Sequence, residues 1–450
     1  MAERAEKRSQ MLKENAARAA GPKSARRFAV IGAGAAGLCV AKYLVQNGFD
    51  DVTIFEIGTQ FGGLWVYEND NGRSSAYRTL HINTARDLTS FSDFKFPGEV
   101  QQFPDHWDMH RYLDSYARHF DLVRRTRFIS RVVDVRPAAG YTRHAPLWEV
   151  KLESGETAVF DRLVAANGHL SEPLHVAEFR DNFKGKYLHS HYYREPEKFV
   201  GKKICVVGVG NSACDIASDV CVTSPKTVMV ARSGVMIGPK LIFGFAFTDI
   251  TMKLYKKWIP DRLRRNIIAF LVYLMHGRMT DLGFKPLTMR AHPTTSAVLV
   301  QHVAYKRVLV KQGIDRIEGR RIFFSDGSSD EFDTLIAANG YRIDLPFISP
   351  DIVPVKDNSV DLYKRICPPG HEGLYFMGMI NTTTALNLTF EYQARWICAV
   401  ENGKLKLPTP EKMRQAIEAK KQWIRKYYKE SLRHTIEEEH IFYLDELKRR

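Results

Sequence analysis

Closely spaced cysteine pairs are missing from this chain of 450 residues. Its six cysteines form neither a CxxC nor a CxxxxC motif, which excludes a redox centre made of neighbouring thiols. Long apolar runs are missing too, because the most apolar stretch, residues 267–275, is far shorter than the ~20 residues that span a bilayer. Neither zinc-ligand spacing nor a catalytic triad is recognisable, so we expect no metal site.

Acidic residues are too few to balance the basic ones, which leaves a formal net charge of +15. This excess favours polyanionic ligands such as nucleic acid, a lipid surface or phosphorylated cofactors. Because no nucleic-acid-binding motif accompanies the charge, we expect no nucleic-acid partner. Residues 1–26 lack the apolar segment of a secretion signal and mix acidic with basic side chains, so we expect a polar N-terminal arm.

The chain does contain two glycine-rich motifs of one type. Each follows a short apolar run and opens a helical pattern, so each predicts a strand, a tight turn and a helix. In that arrangement backbone N–H groups and the helix N-terminus bind a pyrophosphate. The motifs consist of Gly32, Gly34, Ala36 and Gly37 in the first copy, and of Gly208, Gly210, Asn211, Ser212 and Ala213 in the second.

The residue that ends the next predicted strand differs between the two copies. At the same offset the first copy has Glu56 and the second has Arg232. A carboxylate there accepts hydrogen bonds from a ribose diol, whereas an arginine pairs with a 2′-phosphate. The sequence therefore predicts FAD in the first unit and NADPH in the second. Surface arginines are common, so the strictness for NADPH over NADH stays open.

The order of the segments predicts an α/β protein with two Rossmann-like dinucleotide-binding domains, one inserted into the other. Two similar segments, residues 162–168 and 334–340, each end an apolar strand on Ala-Asn-Gly and bracket the second glycine motif. Linkers at these points would let the domains rock against each other. The predicted parts are an FAD-binding domain (27–169 and 336–405), an NADPH-binding domain (170–335) with an apolar insert (234–292), and a C-terminal helical segment (406–450).

A longer signature lies just before the second glycine motif. Phe183, Gly185, His189 and Tyr193 form the pattern FxGxxxHxxxY. On this signature the chain resembles the flavin-containing monooxygenases, a group of the class B flavoprotein monooxygenases. The related Baeyer–Villiger monooxygenases usually carry Trp at the position of Tyr193. Further matches occur in FSDF (91–94), YLDSYARHFDL (112–122), LTFEYQARW (388–396) and SLRHTIEEEHIFYLDEL (431–447).

The resemblance implies an enzyme that binds FAD and NADPH and reacts with O₂ through a C4a-hydroperoxyflavin. One oxygen atom would pass to the sulfur or nitrogen of a small lipophilic substrate, and the other would leave as water. Two alternatives stay open: Baeyer–Villiger oxygenation of ketones, and an uncoupled NADPH oxidase or flavin sensor that releases H₂O₂. The long hydrophobic tail of the microsomal animal members is absent, so we expect a cytoplasmic protein. We also expect a homodimer.

The resemblance also implies roles for individual residues. Asn83 corresponds to the active-site asparagine beside flavin and nicotinamide, and His189 and Tyr193 are expected to organise the domain junction. The aromatic and basic composition of residues 241–275 is compatible with a peripheral membrane contact. The further residues expected to contact a cofactor are Gly63, Leu64, Trp65, Thr84 and Asn339.

Overall fold

Two separate parallel sheets form the framework of the protein, which we describe from a computed structural model. The structure describes residues 26–290, 294–382, 384, 386–428, 431–432 and 434–448. The predicted polar arm therefore lies outside the described residues except for Arg26. The chain is an α/β protein with parallel sheets, as the sequence predicts.

The first sheet has five parallel strands with the first glycine motif at its centre. Its strands are short and apolar, and their alternate residues belong to two different cores. Phe28 and Val30 face one core, whereas Ala29 and Ile31 face the other. Burial on both faces is the usual state of a parallel sheet. In spatial order the strands are Leu374–Phe376, Arg162–Ala165, Phe28–Ile31, Val52–Phe55 and Thr126–Arg127.

The second sheet repeats this arrangement around the second glycine motif. In sequence, all of its strands lie between two strands of the first sheet, Arg162–Ala165 and Leu374–Phe376. The strand Thr334–Ala337 belongs wholly to the second sheet, so the predicted domain boundary at residue 335 falls inside a strand. The second unit therefore extends at least two residues further than predicted. In spatial order its strands are Val308–Lys311, Lys226–Val230, Lys203–Val207, Thr334–Ala337 and Lys186–His189.

A three-stranded antiparallel sheet precedes the strand before each linker. The apolar stretch 160–165 is divided at Asp161, because Phe160 ends the antiparallel sheet and Arg162 begins the parallel one. The chain must leave the antiparallel sheet before it can enter the parallel one, so one strand cannot serve both. The two antiparallel sheets consist of Val132–Pro137, Trp148–Leu152 and Thr157–Phe160, and of Ile314–Glu318, Arg321–Phe324 and Ser329–Glu331.

Shorter strand pairs join the remaining segments. The pair Asn381–Thr382 and Glu437–Glu438 ties the C-terminal segment to the loop that leaves the first sheet. The other pairs are Ile237–Gly238 with Thr294–Thr295, Leu241–Ile242 with Phe245–Ala246, Glu172–Pro173 with Tyr341–Arg342, and Val355–Lys356 with Ser359–Val360.

Helices cover one face of each parallel sheet, and the other face packs against an antiparallel sheet. Ala35–Gln46 and Leu386–Glu401 pack together on the first sheet, and Asn211–Val220 packs on the second. No helix in the described part of the chain is long and apolar enough to cross a membrane. The other α-helices are Arg86–Thr89, His106–His119, Ala177–Asn182, Phe247–Leu254, Asp261–His276, Leu299–Ala304, Pro410–Tyr427 and His440–Lys448, and the 3-10 turns are Gly63–Trp65, Val123–Arg125, Ser190–Tyr192, Pro196–Phe199 and Met279–Leu282.

Candidate cofactor and active site

The first glycine loop packs tightly against the chain that leaves the neighbouring strand. Gly32 has φ +106°, and a Cβ there would lie 2.7 Å from the carbonyl oxygen of Ala166. A Cβ on Gly37 would lie 1.9 Å from the carbonyl oxygen of Gly32. Both positions therefore require glycine for the backbone to close. Gly34 differs, because the nearest atom to its Cβ position would be the Cα of Gly63 at 3.7 Å.

The helix that follows this loop begins without a side-chain cap. Gly34 is the N-cap residue of Ala35–Gln46, and no side chain accepts from the first turn. Ala36 lies in this turn, so its backbone N–H is among the donors that the helix itself cannot satisfy. Uncapped N–H groups and the positive end of the helix dipole suit a pyrophosphate. The loop fits the dinucleotide that the sequence predicts for it.

Glu56 lies at the carboxyl end of the adjacent strand and is buried. One carboxylate oxygen accepts from the backbone N–H of Ala33 at 2.8 Å, and the other accepts from Gly58 at 2.8 Å. Burial raises the pKa of the Glu56 carboxyl, and the two backbone donors oppose that rise. A carboxylate has about four acceptor positions, so lone pairs remain for a ribose diol.

The short turn Gly63–Trp65 packs against the first glycine loop. The backbone N–H of Gly62 donates to the carbonyl oxygen of Ala33 at 3.1 Å, and a Cβ on Gly63 would lie 3.2 Å from the Cα of Gly34. Trp65 is half-buried against the first core, whereas the side chain of Leu64 is exposed. The three residues predicted in this turn therefore lie beside the glycine loop.

A third segment at the same edge is absent from the sequence prediction. Gly378 follows the strand Leu374–Phe376 with φ +75°, and a Cβ there would lie 3.3 Å from the Cβ of Ala36. Its backbone N–H donates to Gln393 Oε1 at 3.1 Å. A glycine shortly after a strand is a weak sequence signal for a cofactor site. Only the pairing of Leu374–Phe376 with Arg162–Ala165 brings Gly378 to the first loop.

The second glycine loop reproduces the contact of the first. Gly208 has φ +132°, and a Cβ there would lie 2.5 Å from the carbonyl oxygen of Ala338. Gly210 is the N-cap residue of Asn211–Val220, again without a side-chain cap, and Ala213 is fully buried in the core beneath it. Ser212 lies in the first turn of this helix. The second loop therefore fits a second dinucleotide.

Two predicted nucleotide contacts of the second loop have different surroundings. The Oδ1 atom of Asn211 accepts from the backbone N–H of Thr295 at 2.9 Å, which ties the helix start to the segment that follows the insert. Arg232 lies just after the strand Lys226–Val230 and is exposed. Its guanidinium makes no hydrogen bond or ion pair with any described residue. An unpaired guanidinium at this end of the strand is available for a 2′-phosphate.

Four asparagine side chains carry a buried polar atom that lacks a partner among the described residues. One is Asn402, and the other three are predicted site or linker residues: Oδ1 of Asn83, Oδ1 of Asn167 and Nδ2 of Asn339. Asn167 and Asn339 occupy the equivalent position in the two Ala-Asn-Gly linkers, next to the two glycine loops. A buried amide without a hydrogen bond costs about 1–3 kcal/mol, so these atoms suit a ligand that completes them.

The insert forms hydrogen bonds to the loop that carries Asn83, one on either side of that residue. Nζ of Lys240 donates to the carbonyl oxygen of Ile82 at 3.3 Å, and the backbone N–H of Ala85 donates to Thr248 Oγ1 at 3.2 Å. Burial lowers the pKa of Lys240, and nearby Asp215 opposes that change. The insert therefore belongs to the surroundings of Asn83, which no local sequence pattern indicates.

Thr84 is already engaged within its own segment. Its hydroxyl lies 2.7 Å from the hydroxyl of Thr89, which in turn donates to the carbonyl oxygen of Ala85. These bonds shape the loop that follows Asn83. The Thr84 hydroxyl oxygen keeps acceptor capacity, and its cofactor contact stays a prediction.

The signature residues organise the junction between the two sheets. A Cβ on Gly185 would lie 2.7 Å from the ring of Phe183, so glycine lets that ring pack under the strand Lys186–His189. Nδ1 of His189 accepts from the backbone N–H of His191, and Nε2 lies 3.1 Å from the carbonyl oxygen of Gly340. Burial, with His175 and His191 nearby, lowers the pKa of His189 to about 4. His189 is thus a neutral ring that holds the second linker.

Residues 72–80 form a strap that crosses from the first sheet to the second. The hydroxyl of Tyr77 donates to Asp215 Oδ2 at 2.6 Å, and the hydroxyls of Thr79 and Tyr193 donate to Asp219 Oδ2. Both acids lie on the helix Asn211–Val220. Burial raises the pKa of Asp215 to about 6. Tyr193 is therefore buried in the junction between the two sheets, where its hydroxyl is bonded to Asp219.

These features define the class of the protein. It has two glycine loops on two parallel sheets, and each linker carries an unpaired amide atom, as expected of a protein that binds two dinucleotides. The comparisons name the family. The family model "FMO-like: Flavin-binding monooxygenase-like" matches residues 25–450. The chain belongs to this family, and it is a flavin monooxygenase that uses FAD and NADPH. The resemblance stated from the sequence is confirmed.

Curated relatives and a solved structure agree with this assignment. Flavin-containing monooxygenase 5 of Oryctolagus cuniculus is 32% identical over 439 residues, covering 94% of this chain and 82% of its own length. The N-oxide-forming dimethylaniline monooxygenase 2 of the same organism is 30% identical over 440 residues, with the same coverage. The structure of S-allyl-L-cysteine S-oxygenase from Allium sativum is 27% identical with a TM-score of 0.70, covering 94% of this chain and 87% of that one.

Proposed function

We propose that this enzyme transfers one oxygen atom from O₂ to the sulfur or nitrogen of a small lipophilic substrate, at the expense of NADPH. The unpaired, buried Oδ1 of Asn83 carries the proposal, because this polar amide lies in a loop that the insert of the second unit holds at Ile82 and at Ala85. FAD, when bound, supplies the oxygen-activating chemistry. The residues of the chain then need to bind, orient and exclude water.

Asn83 is proposed as the residue that orients the reacting groups. Its carboxamide offers both an acceptor and a donor, and the contacts of Lys240 and Thr248 hold the loop on either side of it. A polar group fixed in this way needs no reorganisation when charge develops. The insert at the same time covers the loop, which favours exclusion of water.

Two observations support sulfur or nitrogen oxygenation over the oxygenation of ketones. Tyr193 stands where the Baeyer–Villiger relatives usually have Trp, and its hydroxyl is bonded to Asp219 inside the junction. The names of two similar proteins, an S-oxygenase and an N-oxide-forming monooxygenase, describe heteroatom oxygenation. NADPH as the preferred reductant is proposed from the unpaired guanidinium of Arg232.

The test is the yield of oxygenated product per NADPH consumed. The purified FAD-loaded enzyme is given a dialkyl sulfide, a tertiary amine and a cyclic ketone in parallel, and H₂O₂ is measured in each reaction. We expect sulfoxide or N-oxide in near-equal amount to NADPH, with little H₂O₂. A lactone from the ketone alone would replace the proposal with Baeyer–Villiger oxygenation. H₂O₂ equal to NADPH with every compound would indicate an uncoupled oxidase.

The homodimer and the cytoplasmic location expected from the sequence remain proposals. Light scattering of the purified protein tests the first of them, and fractionation of the source cells tests the second.

A further inference from the structure

A distant segment of the insert packs against the residues that surround Arg232. Residues 283–287 pass beside Gly234, which stands two positions after Arg232. A Cβ on Gly234 would lie 2.0 Å from the carbonyl oxygen of Pro286. Glycine at this position therefore lets the two backbones touch. The contact brings Lys285, which precedes Pro286, into the neighbourhood of Arg232.

A neighbouring strand fixes the other end of this segment. A Cβ on Gly283 would lie 3.3 Å from the Cβ of Val310, and Nε2 of Gln312 donates to the carbonyl oxygen of Gly283 at 3.3 Å. Val310 belongs to the strand Val308–Lys311, which pairs in parallel with Lys226–Val230. The segment therefore crosses the carboxyl ends of two adjacent strands, and a dinucleotide binds at that edge of such a sheet.

Lys285 and Arg232 leave the same apolar core on its outer side. Phe284 and Ala231 are both buried, and both belong to the core of the second unit. Pro286 favours an extended backbone at the residue before it, and neighbouring side chains of an extended chain point to opposite sides. Because Phe284 and Ala231 point inward, the side chains of Lys285 and Arg232, one position later in each case, point away from that core.

Lys285 and Arg232 have no counter-charge in the part of the chain that the structure describes. Neither forms a hydrogen bond or an ion pair there, although Lys285 is half-buried. A third cation at the same edge, Lys311, is neutralised, because its Nζ donates to Asp326 Oδ2 at 2.8 Å and to Ser328 Oγ at 2.7 Å. A partly buried ammonium loses hydration that an anion must replace. The edge therefore offers two cations to one negatively charged ligand.

We propose that Lys285 is a second residue that binds the 2′-phosphate of NADPH, beside Arg232. The guanidinium of Arg232 suits paired hydrogen bonds to two phosphate oxygens, and the ammonium of Lys285 acts as a mobile point charge on the same group. Only the 2′-phosphate distinguishes NADPH from NADH, so Lys285 would set coenzyme specificity rather than take part in oxygen transfer. The inference rests on the proposed preference for NADPH and not on which atom the enzyme oxygenates.

Binding of two adenine nucleotides to the full-length FAD-loaded enzyme tests the proposal without turnover. Adenosine 2′,5′-bisphosphate carries the 2′-phosphate, whereas adenosine 5′-monophosphate lacks it. Calorimetric titration gives a dissociation constant for each nucleotide, and the ratio of the two constants measures recognition of the 2′-phosphate alone. A loss of local structure would weaken the binding of both nucleotides and leave the ratio unchanged.

The variants change the charge of Lys285 in steps. Lys285→Met and Lys285→Gln remove the charge, Lys285→Arg keeps it, and Lys285→Glu reverses it. Lys253→Met is the matched control, because Lys253 is an exposed lysine of the same insert on the helix Phe247–Leu254. Arg232→Ala is measured beside them as the variant that removes the other cation. Circular dichroism and FAD content check that each variant is folded.

We expect Lys285→Met and Lys285→Gln to raise the dissociation constant of the bisphosphate about tenfold, because one charge-assisted hydrogen bond is lost. Lys285→Glu should raise it about a hundredfold, since repulsion replaces attraction. Lys285→Arg should stay within about threefold of the wild type, because the charge is kept. The monophosphate should bind to all of these variants as it binds to the wild type, and Lys253→Met should change neither constant. In turnover, KM for NADPH should follow the bisphosphate, and KM for NADH should stay the same.

Three results would overturn the proposal. Equal weakening of both nucleotides by Lys285→Met and Lys285→Gln would assign Lys285 to the local structure of the second unit. Unchanged binding of both nucleotides would remove Lys285 from the site, and if Arg232→Ala still weakens the bisphosphate, the preference for NADPH stands without Lys285. Equal affinity of the wild type for the two nucleotides would reject both this inference and the proposed preference for NADPH.

Discussion

At the scale of single residues, the site depends on groups whose partners lie outside the chain. Asn83, Asn167 and Asn339 each bury an amide atom without a hydrogen bond among the described residues. Arg232 is an exposed guanidinium without a partner there. In a protein without ligands the three buried atoms would be costly, but Asn167 and Asn339 adjoin the two glycine loops and Asn83 lies in the loop that the insert holds. Substitution of these residues should therefore change function more than stability.

Removing the Asn83 carboxamide should uncouple the enzyme. In Asn83→Ala we expect FAD to stay bound, while the yield of product per NADPH falls about tenfold to a hundredfold because an orienting hydrogen bond is lost. The measurements are flavin absorbance, product and H₂O₂. Asn182→Ala is the matched control, since Asn182 is exposed at the end of a short helix. An unchanged yield would remove Asn83 from the active site.

Removing the Arg232 guanidinium should act on one coenzyme only. In Arg232→Ala we expect KM for NADPH to rise about tenfold to a hundredfold and KM for NADH to stay the same, because only NADPH carries the 2′-phosphate. Steady-state kinetics with both coenzymes measure this. Arg124→Ala, another exposed arginine, should change neither value. Equal changes for NADPH and NADH would show that Arg232 does not read the phosphate.

At the scale of elements, each glycine loop works because a strand, a turn and a helix are fixed against the next linker. The first glycine of each motif packs on the alanine of an Ala-Asn-Gly linker: a Cβ on Gly32 would lie 2.7 Å from the carbonyl oxygen of Ala166, and one on Gly208 would lie 2.5 Å from that of Ala338. Each linker is thereby fixed beside the loop of its own sheet. The pyrophosphate sites and the hinges between the units are built from the same residues.

Substitutions at two glycines of the first loop should have different effects, one on folding and the other on cofactor binding. Gly37→Ala should give an insoluble or unfolded protein, because its Cβ would lie 1.9 Å from a backbone oxygen. Gly34→Ala should fold, because its Cβ has space, but should weaken FAD binding about tenfold or more where the pyrophosphate needs that space. Circular dichroism and FAD titration of the apoprotein measure both. Gly98→Ala, in open surroundings, serves as the control.

The insert should act on catalysis through the Asn83 loop. In Lys240→Met and in Thr248→Val we expect normal FAD content and a lower yield of product per NADPH, since each substitution removes one of the two bonds that hold the loop. A loss of about threefold to tenfold fits one hydrogen bond. Arg278→Met, an exposed change on the same insert, should have no effect. If product yield survives in both variants, the insert does not position Asn83.

At the scale of the whole molecule, the two units are joined by more than their linkers. The strap of residues 72–80 bonds to the helix Asn211–Val220 through Tyr77 and Thr79, and the backbone N–H of Arg78 donates to the carbonyl oxygen of Arg194. Any rocking of the units must therefore either carry the strap along or break these bonds. The carboxylate of Asp215 makes this contact sensitive to pH.

Tyr77→Phe should destabilise the protein more at high pH than at low pH. Burial raises the pKa of Asp215 to about 6 from its ordinary value near 3.8, so the folded protein binds this proton more tightly and loses stability as pH rises through that window. Above pH about 6 the ionised carboxylate needs the Tyr77 hydroxyl, so its removal should cost about 1–3 kcal/mol. Below that pH the cost should shrink.

Urea unfolding at about pH 5 and about pH 7.5 measures the difference. Tyr141→Phe is the control, because its hydroxyl donates to the backbone carbonyl of Glu372, which does not titrate. A destabilisation by Tyr77→Phe that is the same at both pH values would mean that Asp215 does not respond to the hydroxyl.

The sequence by itself determined the parts of this protein that local geometry encodes. The glycine motifs, the residues Glu56 and Arg232 at equal offsets, and the repeated Ala-Asn-Gly linkers all follow from short segments whose backbone has few alternatives. On that basis the α/β class and the two cofactors were predicted correctly, and the signature from Phe183 to Tyr193 led to the family. The exact end of the second unit was not, because residues 334–337 join a sheet whose other strands lie far away in sequence.

Only the tertiary structure decided which distant segments meet. Gly378 reaches the first loop through strand pairing, Lys240 reaches Ile82 across the junction, and Tyr77 finds Asp215 on a helix of the other unit. The composition of residues 241–275 was compatible with a membrane contact, but it did not predict which face of the helix Asp261–His276 would be buried. The buried face depends on the burial of Arg264 against Glu439, a long-range ion pair that no local pattern contains.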